Sequence, residues 1–198
     1  MTKWYTSDLH IGHFLVADLR ARVLELTFDD PRQAIAWHDQ MLAANWDAIV
    51  RRDDQVWILG DLSCGGRMVQ AAALAWLAQR PGEKHLVSGN HDTCWPGHRN
   101  AHKEQRLYLN SGIASVQPFA RHRINGHEVL LSHFPYVGDH SETDRYDQYR
   151  LRDEGRYLLH GHTHSRDQVS NDRQIHVGVD AWDFRPVNLD QIMEFIPQ

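Results

Sequence analysis

Short apolar runs recur along the chain, separated by longer stretches of helical spacing. The runs Lys3–Thr6, Gln55–Leu59, Lys84–Val87, Val129–Leu131, Tyr157–Leu159 and Gln174–Val177 read as strands. Between the first two, Ile35, His38, Leu42, Trp46 and Ile49 fall three or four residues apart. That spacing predicts one buried stripe on a helix running from Pro31 to about Val50. Asp30 offers this helix an N-cap oxygen, and Pro31 suits the first turn, where a missing N–H leaves no bond unmade. Further helices are expected over Arg67–Gln79, ending before Pro81-Gly82, and over His98–Leu109. Strands alternating with helices predict an α/β fold. No repeat, low-complexity tract or linker interrupts the pattern, so residues 1–198 are expected to form a single domain.

Polar residues of metal-ligand type sit just beyond the strands. Trp4-Tyr5-Thr6 leads to Asp8 and His10, and Val56-Trp57-Ile58-Leu59 leads to Gly60-Asp61. His85-Leu86-Val87 leads to Gly89-Asn90-His91-Asp92, Val129-Leu130-Leu131 to His133, and Tyr157-Leu158-Leu159 to Gly161-His162-Thr163-His164. Ligands of α/β sheets bind outside the carboxyl ends of the strands. Five strand ends are therefore expected to aim Asp, His and Asn side chains at one rim.

Composition sharpens this picture at two points. The 198 residues include 15 histidines, and histidine is the commonest metal ligand. The formal net charge of −5 argues against stable binding along duplex DNA. It leaves room for a small phosphorylated ligand, because bound cations would reverse the local charge. The two cysteines, Cys64 and Cys94, are expected to be free thiols, since no secretory signal is visible. No apolar stretch approaches the roughly 20 residues that span a bilayer, so no membrane segment is expected and a cytoplasmic location is the default.

Carboxylate, imidazole and amide oxygens without cysteine suit a catalytic transition metal rather than a structural zinc. Two divalent ions clamped around a phosphate need a bridging carboxylate, and Asp61 at its tight turn is the natural candidate. Taken in order, Asp8-x-His10, Gly60-Asp61, Gly89-Asn90-His91-Asp92, Ser132-His133 and Gly161-His162-Thr163-His164 resemble the motifs of the calcineurin-like metallophosphoesterases. The resemblance implies a four-layer αββα sandwich of two mixed β-sheets flanked by helices. It implies one ion on Asp8, His10, Asp61 and His164 and a second on Asp61, Asn90, His133 and His162. Mn²⁺ is the first choice, with Fe, Zn²⁺ or Ni²⁺ as the others. The implied chemistry is attack on a phosphate ester by a metal-activated water, with His91 protonating the leaving group. The opening Thr6–His13 and the ending Val177–Pro186 are similar to a small bacterial and phage branch associated with phosphodiesterase activity on small substrates, including cyclic nucleotides; 2′,3′-cyclic nucleotides are expected among the substrates accepted here.

One departure bears on the substrate. Ser/Thr protein phosphatases of this superfamily carry an Asp-Arg pair in the loop after the bridging carboxylate, where this chain has Cys64-Gly65. The chain therefore does not resemble a protein phosphatase, and the partner of His91 stays open, with Asp92 one candidate. His13 reaches either the substrate or only its own loop, and His160 is expected to be structural. The tryptophans, including Trp37, Trp46, Trp95 and Trp182, are expected mostly in the core. In the segment Asp139–Arg156, Arg145, Tyr146, Tyr149, Arg150 and Arg152 are candidates for a lid that grips a phosphate and stacks a base, against the preferred alternative of a solvated helix face. The expected function is a phosphodiesterase acting on a small phosphate ester or nucleotide. The alternatives are a phosphomonoesterase, a nuclease, and a metal-binding interaction scaffold without activity.

Overall fold

A computed structural model describes all of residues 1–198. Two five-stranded sheets face each other. The first comprises β1 (Lys3–Thr6), β2 (Gln55–Ile58), β3 (Glu83–Val87), β4 (Ile113–Gln117) and β10 (Val187–Asn188), in the order β10-β1-β2-β3-β4. The second comprises β5 (Ala120–Ile124), β6 (His127–Leu131), β7 (Tyr157–His160), β8 (Val169–Asn171) and β9 (Gln174–His176), in the order β5-β6-β7-β9-β8. Both sheets are mixed: β1 to β4 run parallel with β10 reversed, while β6, β7 and β9 run parallel between antiparallel edges. The helices are α1 (Phe14–Val23), α2 (Pro31–Asp47), α3 (Arg67–Ala78), α4 (Ala101–Asn110) and α5 (Leu189–Met193). The expected architecture of two mixed sheets with flanking helices is present.

Strand alternation explains the two cores. Trp4, Val56, Ile58 and Leu86 point from the first sheet into a cluster with Leu42 and Trp46 of α2 and Leu74 and Leu77 of α3. Their neighbours Tyr5, Leu59 and Val87 point the other way and meet Val129, Leu131, Leu159 and Ile175 of the second sheet, with Ile192 of α5. The central strands are thus buried on both faces, which is why they read as unbroken apolar runs.

The expected strands are all present within about a residue or two. α2 begins as predicted, with Asp30 accepting a 2.9 Å bond from the Arg32 N–H and Pro31 in the first turn. It ends at Asp47 rather than Val50, and its buried stripe is Ala34, His38, Leu42 and Trp46, with Trp37 only half-buried. α4 starts at Ala101 rather than His98, because His98 closes a turn onto the Trp95 carbonyl instead. The segment Asp139–Arg156 is not a helix. It is a loop holding one 3₁₀ turn, Asp147–Tyr149, because Asp139 and Asp144 capture Arg145, Arg150 and the Gly138 N–H in place of helical bonds. α1, absent from the sequence reading, turns Ala17, Arg20 and Ala21 inward and leaves Phe14, Leu15 and Leu19 exposed. No helix is long and apolar enough to cross a membrane.

Candidate metal centre

The loops after β1, β2, β3, β6 and β7 converge at the carboxyl ends of the central strands. Backbone bonds tie them together: Asp8 N–H donates to Gly60 O at 3.0 Å, His10 N–H to Asp61 O at 3.1 Å, and Gly161 N–H to His133 O at 3.0 Å. A side chain at Gly89 would run into the Asp61 carboxylate, and one at Gly161 into Ser7 and Asp8, so only glycine permits these approaches.

Five of the expected ligands are held in left-handed backbone conformations: Asp8 (φ 57°), His10 (φ 50°), Asp61 (φ 56°), His162 (φ 71°) and His164 (φ 51°). Each such residue costs on the order of 1–3 kcal/mol, and strain of this kind gathers where a site over-determines the backbone. Here it turns the side chains of Asp8, His10 and His164 toward one point, while His162 is turned toward Asp139.

Two groups of donors form around Asp61. Asp8, His10 and His164 make the first: the Nε2 atoms of His10 and His164 face each other at 3.2 Å, and His164 Nε2 lies 3.8 Å from Asp8 Oδ1. Asp8, Asp61 and His133 make the second: His133 Nε2 lies 3.4 Å from Asp61 Oδ2 and 3.1 Å from Asn90 Oδ1. Asp61 Oδ2 is also 3.9 Å from His10 Nε2, so one carboxylate faces both groups. The expected ligands Asp8, His10, Asp61, Asn90, His133 and His164 are therefore brought together. His162 joins them by ring packing, 5.1 Å between its centroid and that of His133, while its Nε2 meets Asp139 Oδ2 at 3.1 Å.

These residues fit divalent cations. The opposed imidazole nitrogens of His10 and His164, and the Asp8 and Asp61 carboxylates, which are 0–2% exposed, are electron-pair donors with too few protons to share, an arrangement that would be costly without a positive partner. Burial pushes Asp61 up, yet the His133, His10 and His91 imidazoles beside it hold its carboxyl below the usual range. Burial alone would lower His133, but the Asp61 carboxylate pushes it up to about 9 in the metal-free protein.

A second tier of groups orients the imidazoles. His133 Nδ1–H donates to Leu59 O at 2.8 Å, which leaves Nε2 as the donor atom toward Asp61 and Asn90. His164 Nδ1 meets Asp180 Oδ2 at 3.2 Å, and Asp180 is gripped by Arg20 through Nε at 2.8 Å and Nη2 at 2.7 Å. Arg20, 3% exposed, also donates to Asp8 O and Leu9 O and contacts His38 Nε2 at 2.9 Å. Neither Arg20 nor Asp180 was singled out from sequence, although Asp180 lies in the Val177–Pro186 segment that carried part of the family resemblance.

His91 sits at the edge of the centre, its side chain 40% exposed and its Nε2 4.0 Å from Asp61 Oδ2. Its partner is Cys64, with Sγ 3.2 Å from Nδ1. Asp92, the candidate by proximity in sequence, is turned away: its carboxylate accepts the N–H groups of Gly89, Asp61 and Leu62 and pins the bridging loop. Burial, then the charge of Asp61, pushes Asp92 up to about 7.

The remaining expected site residues divide. His13 is half-buried at the start of α1, 5.8 Å ring to ring from His10, with Nδ1 unpartnered. Arg150, its side chain 4% exposed, spends four of its five N–H donors on Arg145 O, Gly138 O and Asp144, which ties it to its own loop rather than to a phosphate. Arg145 clasps Asp139 and contacts His140, and remains partly exposed. Tyr149 stands 47% exposed against Trp95, 4.9 Å between centroids, and Tyr146 packs on both Trp95 and Phe134. His160 is buried and bonded to Gly161 O, and Trp182 is buried with its indole N–H on His176 O.

The sequence profile of the calcineurin-like phosphoesterases matches residues 1–166. The chain belongs to that family. Among calcineurin-like phosphoesterases it is similar to the Gene 66 protein of Mycobacterium phage D29, at 49% identity over 98% of this chain and 94% of the relative. The Gene 66 protein of Mycobacterium phage L5 is 47% identical over 98% and 93%. The fold resembles that of the Aquifex aeolicus protein AQ665, of unknown function, with TM-score 0.69 and 22% identity over 98% of this chain and 99% of that one. Family membership and the converging donors make the chain a metal-dependent phosphoesterase.

Proposed function

We propose that this phosphoesterase hydrolyses diesters, on small or nucleotide-like substrates that include 2′,3′-cyclic nucleotides. The observation that carries the reading is the buried Asp61 carboxylate, with His10 Nε2 3.9 Å and His133 Nε2 3.4 Å away, where the group of Asp8, His10 and His164 meets the group of Asp8, Asp61 and His133. Two divalent ions, Mn²⁺ foremost, would supply the charge that neutralises the phosphate and activates the attacking water. Asp8, His10, Asp61 and His164 would hold one ion, and Asp61, Asn90, His133 and His162 the other.

The remaining work falls to the chain's own groups. His91 protonates the leaving oxygen from Nε2, a role typically worth about 10²–10⁴-fold, while Cys64 fixes its ring through Nδ1. Gly65 stands where the protein phosphatases carry an arginine, so that loop position offers no grip for a dianion, and a singly charged diester needs less of one. The exposed face of Tyr149 beside Tyr146 and Trp95 supports stacking of a base, with Arg145 at its edge. The free thiols Cys64 and Cys94 support a reducing, cytoplasmic location.

Matched p-nitrophenyl mono- and diesters on one Mn²⁺-loaded preparation test the substrate class, with 2′,3′-cyclic nucleotides alongside. The diester is expected to have the higher kcat/KM. A monoester preference of tenfold or more, about 1.4 kcal/mol in transition-state binding, would reassign the protein as a phosphomonoesterase. Metal binding without hydrolysis of any ester would make it a scaffold.

A further inference from the structure

A cavity of about 550 Å³ opens beside His91, between the N-terminal ends of α3 and α4. Arg67, Arg99, His98 and Asn90 line it with His91, and Cys64 is the only apolar residue in its wall. Arg67 is neutralised by Glu104, 2.7 Å away, but Arg99 forms no ion pair and leaves one positive charge unmatched. Gly66 and Asn100, which begin the two helices, provide no side-chain cap, so the positive ends of both helix dipoles border the same space. His98 is turned by its contact with the Asn90 carbonyl, Nε2 to O 2.9 Å. The aromatic side chains that could stack a base, Tyr146 and Tyr149, are not part of this wall.

The cavity thus differs in chemistry from the aromatic face near His162, and His91 opens into it. We propose that it is the leaving-group subsite, and that among diesters it favours those whose leaving group carries a second anionic group, bound by Arg99 and Arg67, over those such as 2′,3′-cyclic nucleotides that present none. The proposal rests on the reading of His91 as proton donor: the group that accepts its proton must lie against it, and the space against it is cationic and polar. The same placement explains how a loop with glycine at position 65 still offers positive charge near the reacting phosphate. That charge would act on the departing group rather than on the transferred one.

The test compares three methyl aryl phosphodiesters that differ only at the meta position of the aryl leaving group: a carboxylate, a phosphonate, or the neutral methyl ester of the carboxylate. Each is assayed with Mn²⁺-loaded wild type, Arg99→Ala, and Arg67→Ala/Arg99→Ala. Wild type and variants share the intrinsic leaving-group chemistry, so the readout is the ratio of kcat/KM between charged and neutral esters. Removing both arginines should lower that ratio tenfold or more, about 1.4 kcal/mol. The phosphonate arm should show a larger drop than the carboxylate if the natural group is a phosphate, and an equal or smaller one if it is a carboxylate. Arg99 has no partner to lose, so Arg99→Ala keeps the test open if the double variant does not fold. A ratio unchanged in the variants, or an equal loss on charged and neutral esters, overturns the proposal. If wild type hydrolyses none of the three, the phosphodiesterase reading of the site fails on its own. Calorimetric binding of 3-carboxybenzylphosphonate and its methyl carboxylate ester then decides the cavity. A tenfold preference for the charged probe, lost in Arg99→Ala, upholds an anion site, and equal binding of both overturns it.

Discussion

At the scale of single residues, the contact between Cys64 Sγ and His91 Nδ1 is the feature that most separates this chain from an acid-supported catalytic histidine. Burial, then the charge of Asp61, pushes the Cys64 thiol up, so it meets the imidazole as a neutral group. A neutral thiol fixes the ring without stabilising its charged form as a carboxylate would. A net hydrogen bond is worth about 0.5–1.5 kcal/mol, so Cys64→Ala should lower kcat by roughly two- to twelvefold, with KM and metal content unchanged. Cys64→Ser keeps a polar partner for Nδ1 and should recover most of the loss. Steady-state kinetics with elemental analysis check this. A serine variant as impaired as the alanine one would mean that Cys64 acts only by filling space.

At the scale of elements, α1 is organised around one charged side chain. Its inward residues are Ala17, Arg20 and Ala21, and Arg20 reaches Asp180, Asp8 O, Leu9 O and His38, linking the loop after β1, α2 and the segment after β9. Arg20→Ala would leave the Asp180 carboxylate without its cation behind His164. Breaking a buried pair in this way costs about 3–5 kcal/mol. We expect a lower unfolding midpoint together with weaker binding of the ion on Asp8, His10 and His164. Chemical denaturation with metal titration measures both, and a variant that loses stability yet binds Mn²⁺ as wild type does would detach Arg20 from the centre. The inverted polarity of α1 also explains why it was not legible in the sequence: an amphipathic reading seeks apolar residues inward, and here Phe14, Leu15 and Leu19 are exposed. The strands missed, β4, β5, β8 and β10, are all edges of their sheets, where burial is partial and the apolar run breaks up, as in Ala120-Arg121-His122-Arg123-Ile124. The central strands and the donor-bearing loops after them were legible because both faces of those strands are buried. The partner of His91 was not, because Cys64 lies 27 residues away and proximity in sequence favoured Asp92.

At the scale of the molecule, the two sheets meet at a cluster of buried donors, and this couples folding to metal and to pH. In the metal-free protein His133 is pushed up to about 9 from 6.5, so its contribution to stability is full below about pH 6.5 and is lost as pH rises through 9. Asp92 is pushed up to about 7 from 3.8, so the folded state holds its proton longer than the unfolded chain and stability falls as pH rises from 3.8 through 7. His10 and His162 are lowered, chiefly by burial, so they cost stability only near and below pH 6.5 and are silent on the alkaline side. Asp61 is held low and stays ionised throughout that range. The metal-free protein should therefore lose stability between about pH 6.5 and 9. If His133 is a ligand, as proposed, a divalent ion acts in the opposite direction, because it must displace the His133 proton and binds more tightly as that proton becomes easier to remove. An ion that binds only the folded state adds about 2.7 kcal/mol at a hundredfold excess over its Kd, and falling Kd raises this contribution with pH. The difference in Tm between Mn²⁺-loaded and chelator-treated protein should thus widen steadily from pH 6.5 to 9. Thermal unfolding at pH 6.5, 7.5 and 8.5, with Mn²⁺ or with EDTA, measures it. A difference that stays constant or narrows would show that the ion displaces no proton from His133 between pH 6.5 and 9, and would overturn the coupling of metal binding to its titration.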